Sequence, residues 1–178
     1  MIDISFHPFP MLTTERLVLR PLEITDDEAI FAHRSDDVVN TYLEQFRHAT
    51  IEETRAFIYR VQREVAAGKT ILWVLTQKDS NEFMGTVCLW NISKEEDKAE
   101  TGYTLVSRFH GMGYMSEALQ KAIDYGFNTL QLSTIEAYTH EHNRSSIALL
   151  KKYHFKQGIP QKPVSGNRIF FALNKGRG

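Results

Sequence analysis

A short segment with two glycines contains the residues best suited to bind a ligand. This segment, called the glycine turn below, runs Arg108-Phe109-His110-Gly111-Met112-Gly113-Tyr114-Met115-Ser116. It follows a strand-like run, 101–106, and opens a helix-like run, 117–130. Glycine adopts φ angles closed to other residues, and the N–H groups at a helix start lack partners within the helix. Strand, turn and helix start therefore predict a site for the phosphates of a cofactor.

Two nucleotide-binding motifs fit this turn poorly. A phosphate-binding loop of the nucleotide hydrolases continues from its last glycine into Lys and then Ser or Thr, whereas Gly113 is followed by Tyr114. The dinucleotide pattern G-x-G-x-x-G is met except at its last position, which is Ser116. Glu136 lies roughly 20 residues further on, where a ribose-binding acid would be expected. However, four residues separate the strand from the first glycine, and the unit begins too late in the chain to complete a doubly wound sheet.

A third pattern fits better and recurs along the chain. Arg108-x-x-Gly111-x-Gly113 resembles the pyrophosphate-binding signature R/Q-x-x-G-x-G/A of the GCN5-related N-acetyltransferases (GNAT). Three further segments, in family order, resemble the RimJ/RimL-like branch, which acetylates protein N-termini and other amines. They are Leu12 to Leu22, Ala99-Glu100-Thr101-Gly102-Tyr103, and Asn143-x-x-Ser146-x-x-Leu149-Leu150-x-Lys152-x-x-Phe155. The chain departs from the pattern where His110 replaces a common tryptophan and His154 a glycine.

The order of elements supports the fold that this resemblance implies. Helical patterns come first, strand-like hairpins follow, and the second half reads strand, helix, strand, helix. That order predicts an α+β protein rather than a barrel or doubly wound fold. The GNAT resemblance implies a mixed, mostly antiparallel central sheet flanked by helices in a single domain. We expect an N-terminal arm, residues 1–11, and an N-acetyltransferase domain, residues 12–178.

Composition limits the environment and the partners. The chain has 178 residues, a net charge of −1 and one cysteine, Cys88. A near-neutral chain has no global basic field to attract nucleic acid or an anionic membrane, and a single cysteine excludes an internal disulfide. No apolar run reaches the ~18 residues of a membrane span. We expect a cytoplasmic protein that binds neither nucleic acid nor membrane.

Acetyl transfer to an amine requires a neutral amine, a polarised thioester carbonyl and a proton for the departing thiolate. The resemblance implies Glu100 as the base, acting directly or through a water. Strand alternation places it on the same face as Gly102, Thr104 and Val106, although a solvated carboxylate on an edge strand would have the same spacing. Ser146 is the implied proton donor. A tyrosine is common in the superfamily at Leu150, and Tyr153 lies on a neighbouring helix face.

The resemblance also implies how the chain holds acetyl-CoA. The N–H groups of Leu105 and Val106 would polarise the carbonyl and pair with the pantetheine amides. Arg108 would add positive charge at the rim, and Asn143 would contact the pantetheine arm. Ser116 and Asn143 are alternatively plain helix N-caps. The pyrophosphate would be bound by N–H groups of the turn, namely those of Phe109, Gly111, Met112, Gly113 and Tyr114, with the Ser116 hydroxyl.

These inferences predict an acetyl-CoA-dependent N-acetyltransferase in which a primary amine, expected to be a protein N-terminus, attacks directly in a ternary complex. A small-molecule acetyltransferase for a polyamine, amino sugar or antibiotic remains open, as does a non-catalytic acyl-CoA-binding sensor. The acceptor pocket is expected from residues 25–62, where Tyr42, Phe46 and Phe57 either line a groove or pack in the core. His140 and His142 alone make a weak metal site, so no metal is expected. A homodimer is implied by analogy only.

Overall fold

The computed structural model describes residues 4–43 and 46–176. The first three residues of the predicted arm and residues 177 and 178 of the predicted domain lie outside that part. The described residues form eight strands: β1 (Leu12–Thr13), β2 (Leu17–Pro21), β3 (Ile71–Gln77), β4 (Gly85–Ser93), β5 (Lys98–Leu105), β6 (Thr134–His140), β7 (Lys156–Gly158) and β8 (Arg168–Asn174). They also form four α-helices: α1 (Asp27–Ser35), α2 (Ile51–Ala66), α3 (Tyr114–Asp124) and α4 (Arg144–Lys152).

The strands make one sheet in the order β1-β2-β3-β4-β5-β6-β8-β7. Among these strands, β5 and β6 form the one parallel pair, and the other neighbours run antiparallel. The parallel pair is connected through α3, as a crossover between parallel strands requires. The predicted α+β single domain with a mixed, mostly antiparallel sheet is confirmed.

The sheet is covered on both faces, so strand β3 is apolar on both sides. β3 is buried from Ile71 through Thr76, and Trp73 is fully buried. One core packs the sheet against α3 and α4, with Leu119 and Leu150 among its buried side chains. A second core packs the other face against α1 and α2, around Ile58. Two covered faces explain why β3 shows a continuous apolar run instead of alternation.

Helix α2 forms where its capping pattern predicts. The Thr50 hydroxyl accepts a hydrogen bond from the Glu53 N–H at 3.3 Å, and Gly68 ends the helix with φ +69°. Gly68-Lys69-Thr70 has the composition of the triplet in a phosphate-binding loop. Here it leaves a helix and enters β3, whereas such a loop leaves a strand and enters a helix. The order of elements therefore excludes that function for this triplet.

Helix α1 begins differently from its prediction. The spacing of Thr25 and Glu28 predicts a capping box, but Glu23 and Asp26 make the reciprocal contacts, around the short 3₁₀ turn Ile24–Asp26 that leads into α1. The Asp26 carboxylate also forms a two-contact ion pair with Arg20, at 2.9 and 2.6 Å. Because Asp26 is buried and already paired, it provides a stronger anchor for the chain than an exposed threonine cap.

The N-terminal residues pack on the domain. Phe6 is buried in the main core, and the Pro10 carbonyl accepts a hydrogen bond from the Trp73 indole at 2.8 Å. The next segment resembles one opening strand over 12–22, but it forms a short hairpin of β1 and β2. The boundary between residues 11 and 12 stays a prediction.

Candidate active site

The site is built around a gap in the middle of the sheet. β5 and β6 pair only over Lys98–Thr101 and Thr134–Ala137. Beyond these residues β5 stays with β4 as far as Leu105, while β6 stays with β8 as far as His140. The two strands therefore diverge like a wedge, and backbone groups of β5 after Thr101 face the opening. This divergence of the two strands could not be predicted from the sequence.

One of the two predicted backbone donors faces this gap. The Val106 N–H donates to the Met84 carbonyl at 2.8 Å, towards β4. Backbone N–H groups alternate sides along a strand, so the Leu105 N–H points the opposite way, into the gap. The prediction for Val106 is thus corrected, because its N–H is already paired with the Met84 carbonyl beside β4. The Leu105 carbonyl contacts the His110 ring nitrogen Nε2 at 2.7 Å, so His110 closes part of the gap.

The glycine turn has the predicted backbone shape. Gly111 and Gly113 have φ angles of +73° and +81°, and α3 begins at Tyr114, three residues before the predicted start. The N–H of Phe109 donates to the Val106 carbonyl at 2.9 Å within a short helical turn, so it is committed there and not to a phosphate. The N–H groups of Gly111 to Tyr114 precede or open α3. They remain the predicted phosphate donors.

A second arginine braces this turn, and sequence reasoning missed it. Arg16 Nη2 donates to the Met112 carbonyl at 2.9 Å, and its guanidinium lies 4.1 Å from the centre of the Tyr114 ring. Its Nε forms an ion pair with Glu117 at 2.5 Å. A Cβ on Gly113 would lie 3.2 Å from Arg16 Nη2. Arg16 lies in the segment 12–22 that resembles the family, and this was the signal that could have found it. The segment is far from the turn in sequence, however.

The polar side chains assigned to the turn have other partners. Arg108 forms an ion pair with Glu82, which turns its guanidinium towards that carboxylate. Ser116 is not a helix cap, because Gly113 holds that position. Its hydroxyl contacts Lys152 Nζ at 2.6 Å and the Tyr153 hydroxyl at 2.7 Å. Lys152 therefore brings a cation to the start of α3, although the sequence analysis treated it only as part of a helix pattern.

Glu100 lies at the pairing point of β4, β5 and β6. Its register partners are Trp90 and Glu136, so β5 is an interior strand and the edge-strand alternative is wrong. Burial raises the pKa of Glu100 to about 7, although nearby Arg168 acts in the opposite direction. A carboxyl group with such a pKa changes its protonation near neutral pH. Asn91, which has φ +50°, lies beside it where the β4 register shifts.

Thr104 shares the face of Glu100 and contacts a buried histidine. His33 Nε2 lies 2.9 Å from the Thr104 hydroxyl. The His33 ring is only 5% exposed, and its Nδ1 has no hydrogen-bond partner among the described residues. Burial lowers the pKa of His33 to about 4, so the ring is neutral at neutral pH. It holds Thr104 in place without adding charge.

A tyrosine that sequence reasoning did not single out joins Ser146 in the gap. The Tyr103 and Ser146 hydroxyls lie 2.7 Å apart, and burial raises the pKa of Tyr103 to about 12. Asn143 caps α4, accepting the Ser146 N–H at 3.2 Å, as its alternative interpretation predicts. Leu150 is fully buried in the core, and the Tyr153 hydroxyl donates to the Ser116 carbonyl. Of these groups, the hydroxyls of Tyr103 and Ser146 lie together in the gap.

Two cavities meet at this point. The larger one, of about 670 Å³, lies between the sheet and α2, and Glu100 lines it. The smaller one, of about 240 Å³, is lined by His110 and Gly111. Both are lined by residues on the two sides of the gap: Tyr42, Leu43, Tyr103, Thr104, Asn143 and Ser146. Phe46 and Phe57 line the large cavity, so the region 25–62 does build its wall.

Other predicted features of the site are resolved as follows. Cys88 also lines the large cavity and is partly exposed; burial of its thiol raises its pKa to about 12. His140 stacks between Tyr42 and His142, with ring centres 5.3 and 5.4 Å apart. Within residues 4–43 and 46–176, no three His, Cys, Asp or Glu side chains cluster as metal ligands would. No helix in that part combines the length and apolarity that crossing a membrane requires.

Comparison with known proteins gives one consistent relationship. Residues 16–156 match the model of the acetyltransferase (GNAT) domain family. The N-acetyltransferase YoaA of Bacillus subtilis, itself uncharacterised, is 34% identical over 167 residues, which cover 93% of this chain and 94% of YoaA.

Two solved structures share the fold. RimJ of Mycobacterium smegmatis, in complex with a CoA-disulfide, has a TM-score of 0.77 at 22% identity, over 89% of this chain and 81% of RimJ. The ribosomal alpha-N-protein acetyltransferase RimL, in complex with coenzyme A, has a TM-score of 0.81 at 19% identity, over 93% and 98% of the two chains. With a divergent sheet, a glycine turn and a family model that spans most of its length, this chain belongs to the GNAT acetyltransferase family.

Proposed function

We propose that this acetyltransferase uses acetyl-CoA and transfers the acetyl group to a protein N-terminal amine by direct attack in a ternary complex. The observation that carries the proposal is the meeting of two cavities at the gap between β5 and β6. Gly111 of the glycine turn lines the smaller cavity, and Glu100 lines the large cavity. A donor and an acceptor entering from opposite sides would meet at Tyr103 and Ser146.

The described residues suit the donor. Gly111 and Gly113 hold left-handed backbone angles, and the N–H groups that open α3 have no partner within the helix. Arg16 and Lys152 bring positive charge to the same turn. The exposed side of β5, including the Leu105 N–H, offers a strand edge to the pantetheine amides. Acetyl-CoA itself supplies the activated thioester.

Glu100 supplies the base in this proposal. An alkyl ammonium, with a pKa near 10, is mostly protonated at neutral pH and must lose a proton before its nitrogen attacks. The Glu100 carboxylate takes that proton, the new C–N bond forms at the thioester carbon, and the C–S bond breaks. A pKa of about 7 suits this role, because a base is most effective when its pKa lies near the working pH.

The thiolate then receives a proton from the pair of hydroxyls. Tyr103 stays protonated across the neutral range because burial raises its pKa to about 12. Ser146, 2.7 Å away, either donates directly or re-supplies Tyr103. A thiol with a pKa of ~8.5 is already a fair leaving group, so this step contributes less than the base.

The fold and the size of the large cavity bear on the nature of the acceptor. The structural neighbours RimJ and RimL support a protein substrate by fold alone. A small-molecule amine is the second candidate, and the volume of the large cavity favours it. About 670 Å³ lies within the roughly 300–1,000 Å³ of small-ligand pockets.

Two measurements test the proposal. Calorimetric titration of the purified chain should show micromolar binding of acetyl-CoA and none of NAD, and the reverse result would restore the dinucleotide alternative. An assay of coenzyme A release should then show turnover with N-terminal peptides and none with polyamines or aminoglycosides. Turnover with the small amines alone would replace the protein substrate by the second candidate.

A further inference from the structure

Three arginines line the large cavity: Arg168, which lies near Glu100, and the pair Arg34 and Arg60. Arg34, on α1, and Arg60, on α2, both contribute to its wall. Among residues 4–43 and 46–176, neither forms a salt bridge. Five other arginines in the same part of the chain do pair with acids: Arg16, Arg20, Arg47, Arg55 and Arg108. Outside the cavity, Arg63 and Arg144 likewise form no salt bridge in that part of the chain, so Arg34 and Arg60 are distinguished by their place in the cavity wall.

Arg34 is held rigidly and keeps donors available. Its guanidinium lies 4.1 Å from the ring centre of Phe46 and 4.0 Å from that of Phe57. Nη1 donates to the Phe46 carbonyl at 2.8 Å. Nε and Nη2 have no acceptor among the described residues, yet they are not sealed from the surface. A fixed guanidinium with two remaining donors is suited to bind a carboxylate or a phosphate.

Within residues 4–43 and 46–176, the arginines in the wall of the cavity outnumber the acids. Besides Arg34 and Arg60, its wall includes Arg168, and the acids on it are Glu64 and Glu100. Glu64 accepts a hydrogen bond from the Thr70 hydroxyl at 3.2 Å, and Glu100 is the proposed base. Burial and the nearby Arg60 lower the pKa of Arg34 to about 10, so it is still charged at neutral pH. Leaving a charge unpaired in a partly buried site is costly, and an anionic ligand would offset that cost.

We propose that Arg34 and Arg60 bind an anionic group of the acceptor, so that the substrate is an amine carrying a carboxylate or phosphate near the reacting nitrogen. This inference rests on the proposed acetyl transfer and specifies its acceptor. One cavity holds Glu100 and both arginines, so amine and anion belong to the same bound segment. For a protein substrate, this means an acidic residue within the first few positions, because each extended residue spans about 3.3–3.6 Å.

Matched acceptors test the inference. Coenzyme A release is measured with the peptide pair Ser-Glu-Asp and Ser-Gln-Asn on a common neutral tail, and with glucosamine 6-phosphate against glucosamine. The anionic member of at least one pair should have the higher kcat/KM by about tenfold or more, mainly through KM, as expected for a charge-assisted hydrogen bond. Equal kcat/KM values within each pair would overturn the inference while leaving the acetyltransferase activity intact.

Variants assign the preference to the two arginines. Arg60→Gln should reduce the preference for the anionic acceptor, and Arg34→Gln should abolish it. Arg34→Lys, which keeps the charge but loses the planar fork, should restore part of it. Arg63→Gln is the matched control, because Arg63 is exposed on the same helix and does not line the cavity. A preference that survives both Arg34→Gln and Arg60→Gln would show that other groups recognise the anion.

Two measurements distinguish a loss of folding or of activity from a loss of anion recognition. Calorimetric affinity for acetyl-CoA should stay unchanged in each variant, and if Arg34→Gln fails this check, exposed Arg60 alone decides. Turnover in the phosphate arm without turnover of peptides would reject the protein substrate but support the anion site. If no acceptor turns over, calorimetry on the CoA-saturated protein compares binding of the two peptides, and equal binding overturns the inference.

Discussion

The Tyr103 hydroxyl, on β5, lies 2.7 Å from the Ser146 hydroxyl, near the start of α4, in the gap between β5 and β6. Both residues line both cavities, so this contact marks the place where donor and acceptor would meet. Ser146 is itself positioned by the Asn143 cap, which accepts its N–H. The fold thus brings a strand residue and a residue of a capped helix into contact, although they are separated by about forty positions in the sequence.

Removing the two hydroxyls should slow the reaction moderately. Tyr103→Phe and Ser146→Ala should each lower kcat by about tenfold, at the low end for acid–base groups, because the thiolate leaves readily. The double variant should be little worse than either single one, since the hydroxyls form a single unit. Steady-state kinetics measure this, with Tyr153→Phe as control, because that hydroxyl bonds to Ser116. A larger loss for Tyr153→Phe would instead assign the proton donor to Tyr153.

Glu100→Gln should lower kcat strongly and leave acetyl-CoA affinity nearly unchanged. General-base groups contribute roughly 10²–10⁴-fold, and Gln keeps the shape of the side chain. In the wild type, kcat/KM should rise with pH through an inflection near 7, because the base must be deprotonated and burial raises the pKa of Glu100 to about 7. The inflection should vanish in the variant. Unchanged turnover would remove Glu100 from the mechanism.

Glu136→Gln is a neighbouring carboxylate variant that should retain turnover. Glu136 pairs in register with Glu100 across the parallel strands, and its charge raises the pKa of Glu100. Its removal should therefore lower that pKa and move the inflection of the pH–rate profile to lower pH. A profile displaced upwards would show that the two carboxylates do not interact as the geometry indicates.

Arg16→Met should weaken acetyl-CoA binding by about tenfold without changing kcat at saturation. The guanidinium holds the Met112 carbonyl and stacks on Tyr114, so its loss frees the glycine turn. Calorimetry gives the affinity, and Arg47→Met, whose guanidinium pairs with Asp37 and not with the turn, should leave it unchanged. Gly113→Val should weaken binding further, because φ +81° is strained for a branched residue. Tight binding by both variants would exclude this turn as the cofactor site.

The buried histidine should make stability depend on pH. His33 has a folded pKa of about 4, below the ~6.5 of an unfolded histidine. Between these values the unfolded chain binds the extra proton, so the free energy of unfolding falls as pH decreases from 6.5 to 4. His33→Asn should flatten this dependence in thermal melts, whereas exposed His142→Gln should not. Equal slopes in all three proteins would show that His33 accepts its proton in the folded state.

His154→Gly should stabilise the protein by about 0.5–1 kcal/mol. His154 follows the end of α4 with φ +65°, a left-handed conformation that costs an L-residue roughly 1–2 kcal/mol. Part of the gain is lost because glycine makes the unfolded chain more flexible. Urea unfolding measures the change. A loss of stability would show that the imidazole makes contacts that outweigh its backbone strain.

Local patterns predicted the elements of this fold well and its long-range contacts poorly. The central strands and helices α2 and α4 follow from apolar periodicity and caps such as Thr50, because those signals act within a few residues. The cap of α1 was mispredicted because Arg20 and the buried Asp26 settle it by tertiary pairing. The spacing of capping residues therefore predicts a helix start only where no neighbouring side chains make competing contacts.

The site divides in the same way. Glu100, the glycines and Asn143 lie in ordered motifs and were found from sequence, and their roles stay predictions. Arg16 and Lys152 were missed because each reaches the turn from a distant element. The occupied N–H groups of Val106 and Phe109 were also invisible, since which amides remain available depends on the path of the neighbouring strand. Side-chain type is legible in a sequence, whereas the availability of a backbone group is not.

The single parallel pairing in the described sheet has a consequence for biosynthesis. β1 to β5 join by antiparallel neighbours, most of them close in sequence, whereas β6 must cross over through α3 before it can align with β5. Such non-local pairing is slow to form, because the conformational entropy of closing the chain is lost before the stabilising contacts form. A nascent chain that has emerged only as far as β5 has the β4–β5 side of the gap but lacks the side formed by β6. Enzymatic competence should therefore arise late in synthesis, when β6 and α4 dock onto a preformed N-terminal sheet.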